Sequence, residues 1–424
     1  MTSSDTIFAL SSGAPPAAIA IVRISGPAAS AALRTLAGRM PTERRAATAV
    51  LRDGAGVELD RALVLWMPGP TTSTGEDIAE LHLHGGRAVV AAVEAALGAI
   101  QGLRKAQAGE FTRRAFANGR IDLAEAEGLA DLLTAETELQ RRAALAMAGG
   151  ALSQQVEAWQ LMLLTLSAQV EAVLDFGDED DVAELPPSFG QAVQDLAANL
   201  AEWLDRPGAE PLREGFRVVL AGPPNAGKST LFNALVEQAA AITASTPGTT
   251  RDVLERPVAI DGVPFTFIDT AGLRVEGADA VEQEGVERAK AEFGRADLVL
   301  WLGPEGEGPD GAIEVAAKAD LGLSKVSARF SVSAATGLGV RELKAALVDL
   351  ARQALPVPGA AALNRRQRVL LAEAYDSLTN IGTSDPLLVA ERVRRARVAF
   401  DLITGRASTE NMLDALFGRF CIGK

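Results

Sequence analysis

Residues 222–229 read Gly-Pro-Pro-Asn-Ala-Gly-Lys-Ser, a match to GxxxxGK[ST] that directly follows the apolar run 216–221. The run predicts a buried strand, the glycines a tight loop, and the residues from Lys228 onward a helix. In that arrangement Gly222, Asn225, Ala226 and Gly227 turn backbone N–H groups towards a polyphosphate, and Lys228 reaches its terminal phosphates. Ser229 and Thr230 stand at the helix N-terminus, where the Ser229 hydroxyl can hold Mg²⁺. A chain built around such a unit needs a largely parallel α/β sheet. Two later segments, Gly248-Thr249-Thr250-Arg251-Asp252 and Asp269-Thr270-Ala271-Gly272, follow in the order that GTPases use.

The 424 residues exceed one ordinary core, and such a length points to roughly three domains. A hydrophobic content of 48% predicts that they fold, and a formal charge of −14 argues against a protein that coats nucleic acid through its overall field. Any RNA contact must then use a local basic patch or a partner. The single cysteine, Cys421, excludes an internal disulfide framework and fits a reducing compartment. The N-terminus lacks a basic flank followed by an apolar stretch, and no apolar run is long enough to span a bilayer. The expectation is a cytoplasmic protein with no membrane association.

Residues 1–117 mix short strand-like runs at 18–24, 62–66 and 80–84 with glycine- and proline-rich turns and a helical stretch at 88–99, an α+β pattern. Alanine and leucine at helical spacing from 122 to about 202 predict long helices packed side by side. The acidic stretch 178–187 ends in two prolines and reads as an exposed loop. Strand and helix signals alternate from 216 to about 350, and a proline-containing linker at 355–360 precedes helices at 370–378 and 387–403. These boundaries predict an α+β domain at 1–117, a helical domain at 118–213 completed by 353–424, and an α/β G domain at 214–352 inserted between its two parts.

Asp269 ends the apolar run 265–268, which places its carboxylate at a strand tip facing the phosphates, in reach of Mg²⁺ through water. Thr250 is the hydroxyl that completes the magnesium shell when triphosphate is bound, with Thr249 and Gly248 beside it, and Gly272 presents an N–H to the γ-phosphate, following Thr270 and Ala271. Base choice falls to Ala317-Lys318-Ala319-Asp320, where Asn/Thr-Lys-x-Asp is the usual guanine pattern. Asp320 can accept from guanine N1–H and its 2-amino group, and Lys318 lies over the base plane. The backbone of Ser333-Ala334-Ala335 meets O6. The stretch 303–311 is acidic and glycine-rich and 312–317 leaves little room for both a helix and a strand leading into Lys318, so these are expected to be trimmed or lost.

In Ras-like GTPases a glutamine follows Asp-x-x-Gly and orients the attacking water; here that position is Leu273. Glu282 is the candidate in reach, set against a solvated helix face, with Arg251 and Arg274 as positive charges. The transition state also needs positive charge between the β- and γ-phosphates, and Asn225 with carbonyls of the stretch Ala244, Ser245, Thr246 and Pro247 can hold a monovalent cation there.

Together with the terminal Phe420-Cys421-Ile422-Gly423-Lys424, these motifs resemble the MnmE (TrmE) family of tRNA wobble-uridine modification GTPases. The resemblance runs end to end: Ile21-Val-Arg-Ile-Ser-Gly26, Thr74-Gly-Glu-Asp77, Gly109-Glu-Phe-Thr112 and Asn118-Gly-Arg-Ile-Asp-Leu123 are similar to the family's N-terminal and helical motifs. It implies a folate-binding and dimerising α+β domain, an all-α domain and an inserted Ras-like P-loop G domain. It implies a homodimer that uses GTP, Mg²⁺ and K⁺, joined by an FAD- and NADH-dependent partner resembling MnmG (GidA) in a heterotetramer, and modifying C5 of the wobble uridine of certain tRNAs. The one-carbon donor implied is a tetrahydrofolate, in the 5-formyl or 5,10-methylene form. Carried over by position, Arg23, Glu80, Arg120 and Lys424 match the folate contacts. Asn225, Ala244, Thr246 and Thr249 match the K⁺ ligands, Ser229 and Thr250 the Mg²⁺ ligands, and Glu282 the group that orients water. Arg120 stands where the family often has lysine, which keeps the charge and changes the fork geometry.

Cys421 reads either as a nucleophile near the one-carbon site or as a small buried hydrophobe. His82 and His84 share one side of a strand-like run, with no nearby cysteine to complete a metal site. Arg392, Arg394, Arg395 and Arg397 either meet tRNA phosphates or pair with neighbouring acids. Against tRNA modification stand a GTP-controlled ribosome-assembly factor and a folate-dependent aminomethyltransferase with a vestigial G domain.

Overall fold

The computed structural model describes residues 5–176, 184–237, 240–241, 254–269, 292–322, 324–381, 385–407 and 410–423. It contains two compact units, Met1–Ala130 with Thr404–Lys424, and Asp131–Ile403. Among the described residues no helix is long and apolar enough to cross a membrane.

The first unit is built on β1 (Thr6–Leu10), β2 (Ile19–Ser25), β3 (Ala47–Arg52), β4 (Glu58–Met67), β5 (Ile78–His84) and β6 (Leu103–Lys105). They form one sheet in the order β3-β4-β5-β2-β1-β6, antiparallel except where β6 joins β1. Burial alternates along β2, with Ala20, Val22 and Ile24 fully buried beside Leu33, Leu36, Val93 and Leu97 of the helices Ala29–Ala37 and Arg87–Gly98. Because successive strand side chains point to opposite faces, Arg23 and its cross-strand neighbour Glu80 lie on the face away from that core.

The end of the chain is seated on this unit. Past the helix Glu410–Phe417, Phe417 and Phe420 pack with Phe116 and Leu123, and Ile422 bridges Ala108. The Ser11 hydroxyl donates to the Gly423 carbonyl at 2.7 Å. Gly423 has φ +97°, and a Cβ there would lie 2.0 Å from the Leu10 carbonyl oxygen, so no other residue fits.

In the second unit, the helices Glu138–Ala148, Ala151–Phe176, Ser188–Asp205, Arg365–Thr379 and Pro386–Thr404 precede and follow the sheet-forming stretch in the sequence. At their centre is Trp159, edge-on to Trp203 at 5.6 Å and stacked on Phe400 at 5.7 Å. Arg366 donates to the Leu402 and Ile403 carbonyls, and Arg368 to those of Leu204 and Arg206, so these arginines close helix C-termini.

The seven-stranded sheet of this unit comprises β7 (Phe216–Ala221), β8 (Ala240–Ala241), β9 (Leu254–Ile260), β10 (Val263–Asp269), β11 (Leu298–Trp301), β12 (Ile313–Ala317) and β13 (Phe330–Val332). The order is β13-β12-β11-β7-β10-β9-β8, parallel from β13 to β10 and antiparallel at β9 and β8. One expectation needs correcting. The helix between β11 and β12 is indeed absent, residues 303–312 forming turns, but the strand that leads into Lys318 is kept. It survives because β12 is laddered on both sides, to β11 and β13, and buries Val315 and Ala316.

Candidate functional site

The phosphate loop lies between β7 and the helix Lys228–Val236. Asn225 takes φ +63°, and Gly227 is left-handed at the helix start, which turns the chain sharply. Lys228 is 6% exposed, and its Nζ donates to the Gly222 and Pro223 carbonyls at 2.8 and 2.9 Å, so the ammonium is held across the loop. The Ser229 hydroxyl donates to Asp269 Oδ2 at 2.6 Å, with Asp269 only 1% exposed at the end of β10. Two hard oxygen groups converging beside a phosphate loop suit Mg²⁺. Pro224, Asn225, Gly227, Lys228, Ser229, Thr230 and Lys318 line an open cleft of about 450 Å³.

On the base side, Lys318 Nζ donates to the Asn225 carbonyl at 2.5 Å, joining the loop after β12 to the phosphate loop. Asp320 is exposed in the short 3₁₀ turn Ala319–Leu321, where a carboxylate can face a base edge. Ser333 is buried, its N–H donating to the Leu338 carbonyl and its Oγ accepting from Thr336 N–H. Of the expected O6 donors this leaves Ala334 and Ala335, which stand on the turn beyond it.

A feature that the sequence reading missed sits below the phosphate loop. Arg217, the second residue of β7, is 7% exposed and donates to Glu255 at 2.9 Å and to Glu292 at 2.8 Å. Its backbone N–H donates to Asp297, whose carboxyl burial lifts above the usual range although that bond and the Arg217 charge pull it down. An arginine inside an otherwise apolar run was the available signal, since a charge there must be paired.

On the first unit, Arg23 and Glu80 meet at 3.0 Å, and His82 Nε2 lies 3.2 Å from the other Glu80 oxygen. The Arg23 guanidinium lies 5.9 Å from the centre of the Phe111 ring. A carboxylate flanked by a guanidinium and an imidazole suits the paired donors and acceptors of an aminopyrimidine ring, so the residues fit a folate head group. Arg120 is held differently, its Nε donating to the Thr72 carbonyl at 3.1 Å. The acids of the two flanking motifs are structural: Arg114 binds Glu76, Glu110 and Asp5 at 2.9–3.2 Å.

Cys421 is exposed, which removes its reading as a buried hydrophobe. Arg394 and Arg395 pair with Glu391, in line with a solvated helix face. His84 is bound to Asp60, and among the described residues no group of three or more His, Cys, Asp or Glu is placed to hold a metal. Ala244, Ser245, Thr246, Pro247, Gly248, Thr249, Thr250, Arg251, Thr270, Ala271, Gly272, Leu273, Arg274, Glu282 and Lys424 lie outside the described residues. Of the expected K⁺ ligands, only Asn225 is described.

A phosphate loop on the central strand of a mostly parallel sheet, a Ser–Asp oxygen pair at its mouth and a carboxylate turn beside it define a GTPase of the phosphate-loop class. The model of the TrmE N-terminus matches residues 6–120, and that of the MnmE helical domain matches residues 123–421. The chain belongs to the MnmE (TrmE) family. A tRNA modification GTPase MnmE from Novosphingobium aromaticivorans is 62% identical over 99% of this chain and 100% of its own length. One from Erythrobacter litoralis is also 62% identical, over 99% and 100%. Among solved structures, the G domain of the T. maritima FeoB iron transporter aligns with 32% of this chain and 98% of its own at 26% identity, with a TM-score of 0.24.

Proposed function

We propose that this chain is the GTP-hydrolysing component of a cytoplasmic complex that adds a carboxymethylaminomethyl or aminomethyl group to C5 of the wobble uridine of certain tRNAs. It works as a homodimer with an FAD-dependent partner resembling MnmG, and takes its one-carbon unit from a tetrahydrofolate. Residues 1–117 bind the folate and dimerise, 118–213 with 353–424 form the helical domain, and 214–352 hydrolyse GTP. The observation that carries this reading is the contact of Ser229 with Asp269 in a chain matched over 99% of its length by a tRNA modification GTPase.

The phosphate loop and Lys228 bind the polyphosphate, and Asp320 reads the guanine edge. Glu282, in place of the glutamine that Leu273 replaces, orients water for in-line attack on the γ-phosphate, and Arg251 supplies positive charge. Ser229 and Thr250 would hold Mg²⁺, and Asn225, Ala244, Thr246 and Thr249 would hold K⁺; bound there, these cations would supply positive charge to the transferring phosphoryl group. Arg23 and Glu80, with Arg120 and Lys424, orient the folate, near Cys421.

GTP turnover by the full chain in K⁺ and in Na⁺ at matched ionic strength tests the hydrolytic part. Much faster turnover in K⁺ is expected. Equal rates would remove the cation site, and no turnover in either salt would remove the hydrolase.

A further inference from the structure

Residues 303–312, between β11 and β12, form turns and bends in place of a helix. Trp301, the last residue of β11, donates its indole N–H to the Pro304 carbonyl at 2.8 Å. Gly303 makes room for it: a Cβ there would lie 2.4 Å from the indole ring and 2.8 Å from Pro223 of the phosphate loop. From this turn the Glu305 carboxylate accepts the N–H groups of Val326 and Ser327 at 3.1 and 2.6 Å. The Ser327 hydrogen bonds hold that carboxyl below the usual range. Lys325 Nζ donates to Glu314 Oε2 on β12 at 2.7 Å and to the Trp301 carbonyl at 3.3 Å, with the two side chains of the ion pair 13% and 15% exposed.

The turn bearing Asp320 is therefore staked at both ends. Lys318 fastens its entry to the Asn225 carbonyl, and Lys325, with Glu305, fastens its exit to β11, β12 and the 303–312 turn. Ala317 offers no polar side chain to do this work. We propose that Lys325, Glu314 and Glu305 are positioning residues for guanine selection, holding the Asp320 turn in place of the missing helix. The inference rests on the reading of Asp320 as the group that recognises guanine.

The test compares GDP with IDP, whose base lacks only the 2-amino group, in calorimetric titrations of the full chain. A charged acceptor for that amino group makes the wild type prefer GDP by about tenfold or more. Lys325→Met should bring the ratio to within about twofold while kcat at saturating GTP stays within about threefold, because the phosphate groups are untouched; Lys325→Arg should restore the preference. The exposed Glu305→Ala, which removes no buried charge, should act in the same direction if Lys325→Met folds poorly. Equal loss of GDP and IDP affinity in both variants, with the ratio kept, would overturn the positioning role. Asp320→Ala separates the two failures: if it collapses the ratio and Lys325→Met does not, only the positioning inference falls. If Asp320→Ala leaves the ratio unchanged, the guanine reading falls and the inference with it.

Discussion

The Ser229 hydroxyl donates to Asp269 at 2.6 Å, joining the first turn of the phosphate-loop helix to the tip of β10. A hydroxyl that donates to the carboxylate keeps its lone pairs, which a cation can use. Ser229→Ala should cost about 1 kcal/mol of stability without nucleotide. It should also raise the Mg²⁺ concentration needed for half-maximal GTP turnover by about tenfold or more. Magnesium titrations of the rate check this, and an unshifted midpoint would detach Ser229 from the metal.

Arg217 ties β7 to Glu255 and Glu292, and the Arg217 and Glu292 side chains are only 8% and 11% exposed. Removing one member of a buried pair costs up to about 3–5 kcal/mol, lessened here because Arg295 also lies 3.7 Å from Glu292. Arg217→Ala should markedly lower the temperature at which the nucleotide-protected transition melts. Arg217→Lys should lower it less, because one ammonium cannot serve two carboxylates with the geometry of a guanidinium.

Gly423 lies against the Leu10 carbonyl with no space for a methyl group. Gly423→Ala should release the terminal residues from β1, seen as faster amide exchange at Ala108 and Ile422, while GTP turnover by the second unit is retained. Unchanged exchange would contradict the seating of the terminal motif.

The Arg114 cluster makes the first unit sensitive to acid. Burial works to raise the Asp5 and Glu110 carboxyls from their usual 3.8 and 4.5, but the hydrogen bonds from Arg104 and Arg114 win and hold both below. Groups depressed in the folded state contribute stability above their unfolded values and lose it as pH falls through the folded ones. Amide protection factors in β1 and in the helix Glu110–Ala117 should therefore hold from pH 8 to about pH 5 and decline below about pH 4. Glu110→Gln should flatten that decline; an unchanged acid profile would place the sensitivity elsewhere.

Much of this was legible in the residues. The run 216–221 matches β7, Asp269 ends β10 as its place after 265–268 requires, and alanine–leucine spacing marked the long helices. Local pattern carries such features because burial imposes a period. Partner choice does not follow from period. The i,i+4 spacing of Glu110 and Arg114 is legible, but nothing around Glu76, 38 residues from Arg114, tells that the same guanidinium gathers both, and the short interval before Lys318 concealed a strand that its neighbours on two sides sustain. The Lys318 contact with Asn225 was hidden for the same reason, since it joins segments about ninety residues apart.

The central claim is that GTP hydrolysis here serves wobble-uridine modification. Deleting the gene in its host and analysing the nucleosides of bulk tRNA by mass spectrometry tests it directly. The account predicts loss of the carboxymethylaminomethyl or aminomethyl group from C5 of the wobble uridine, restored by the wild-type gene and not by a Lys228→Ala copy. An unchanged nucleoside profile would contradict it.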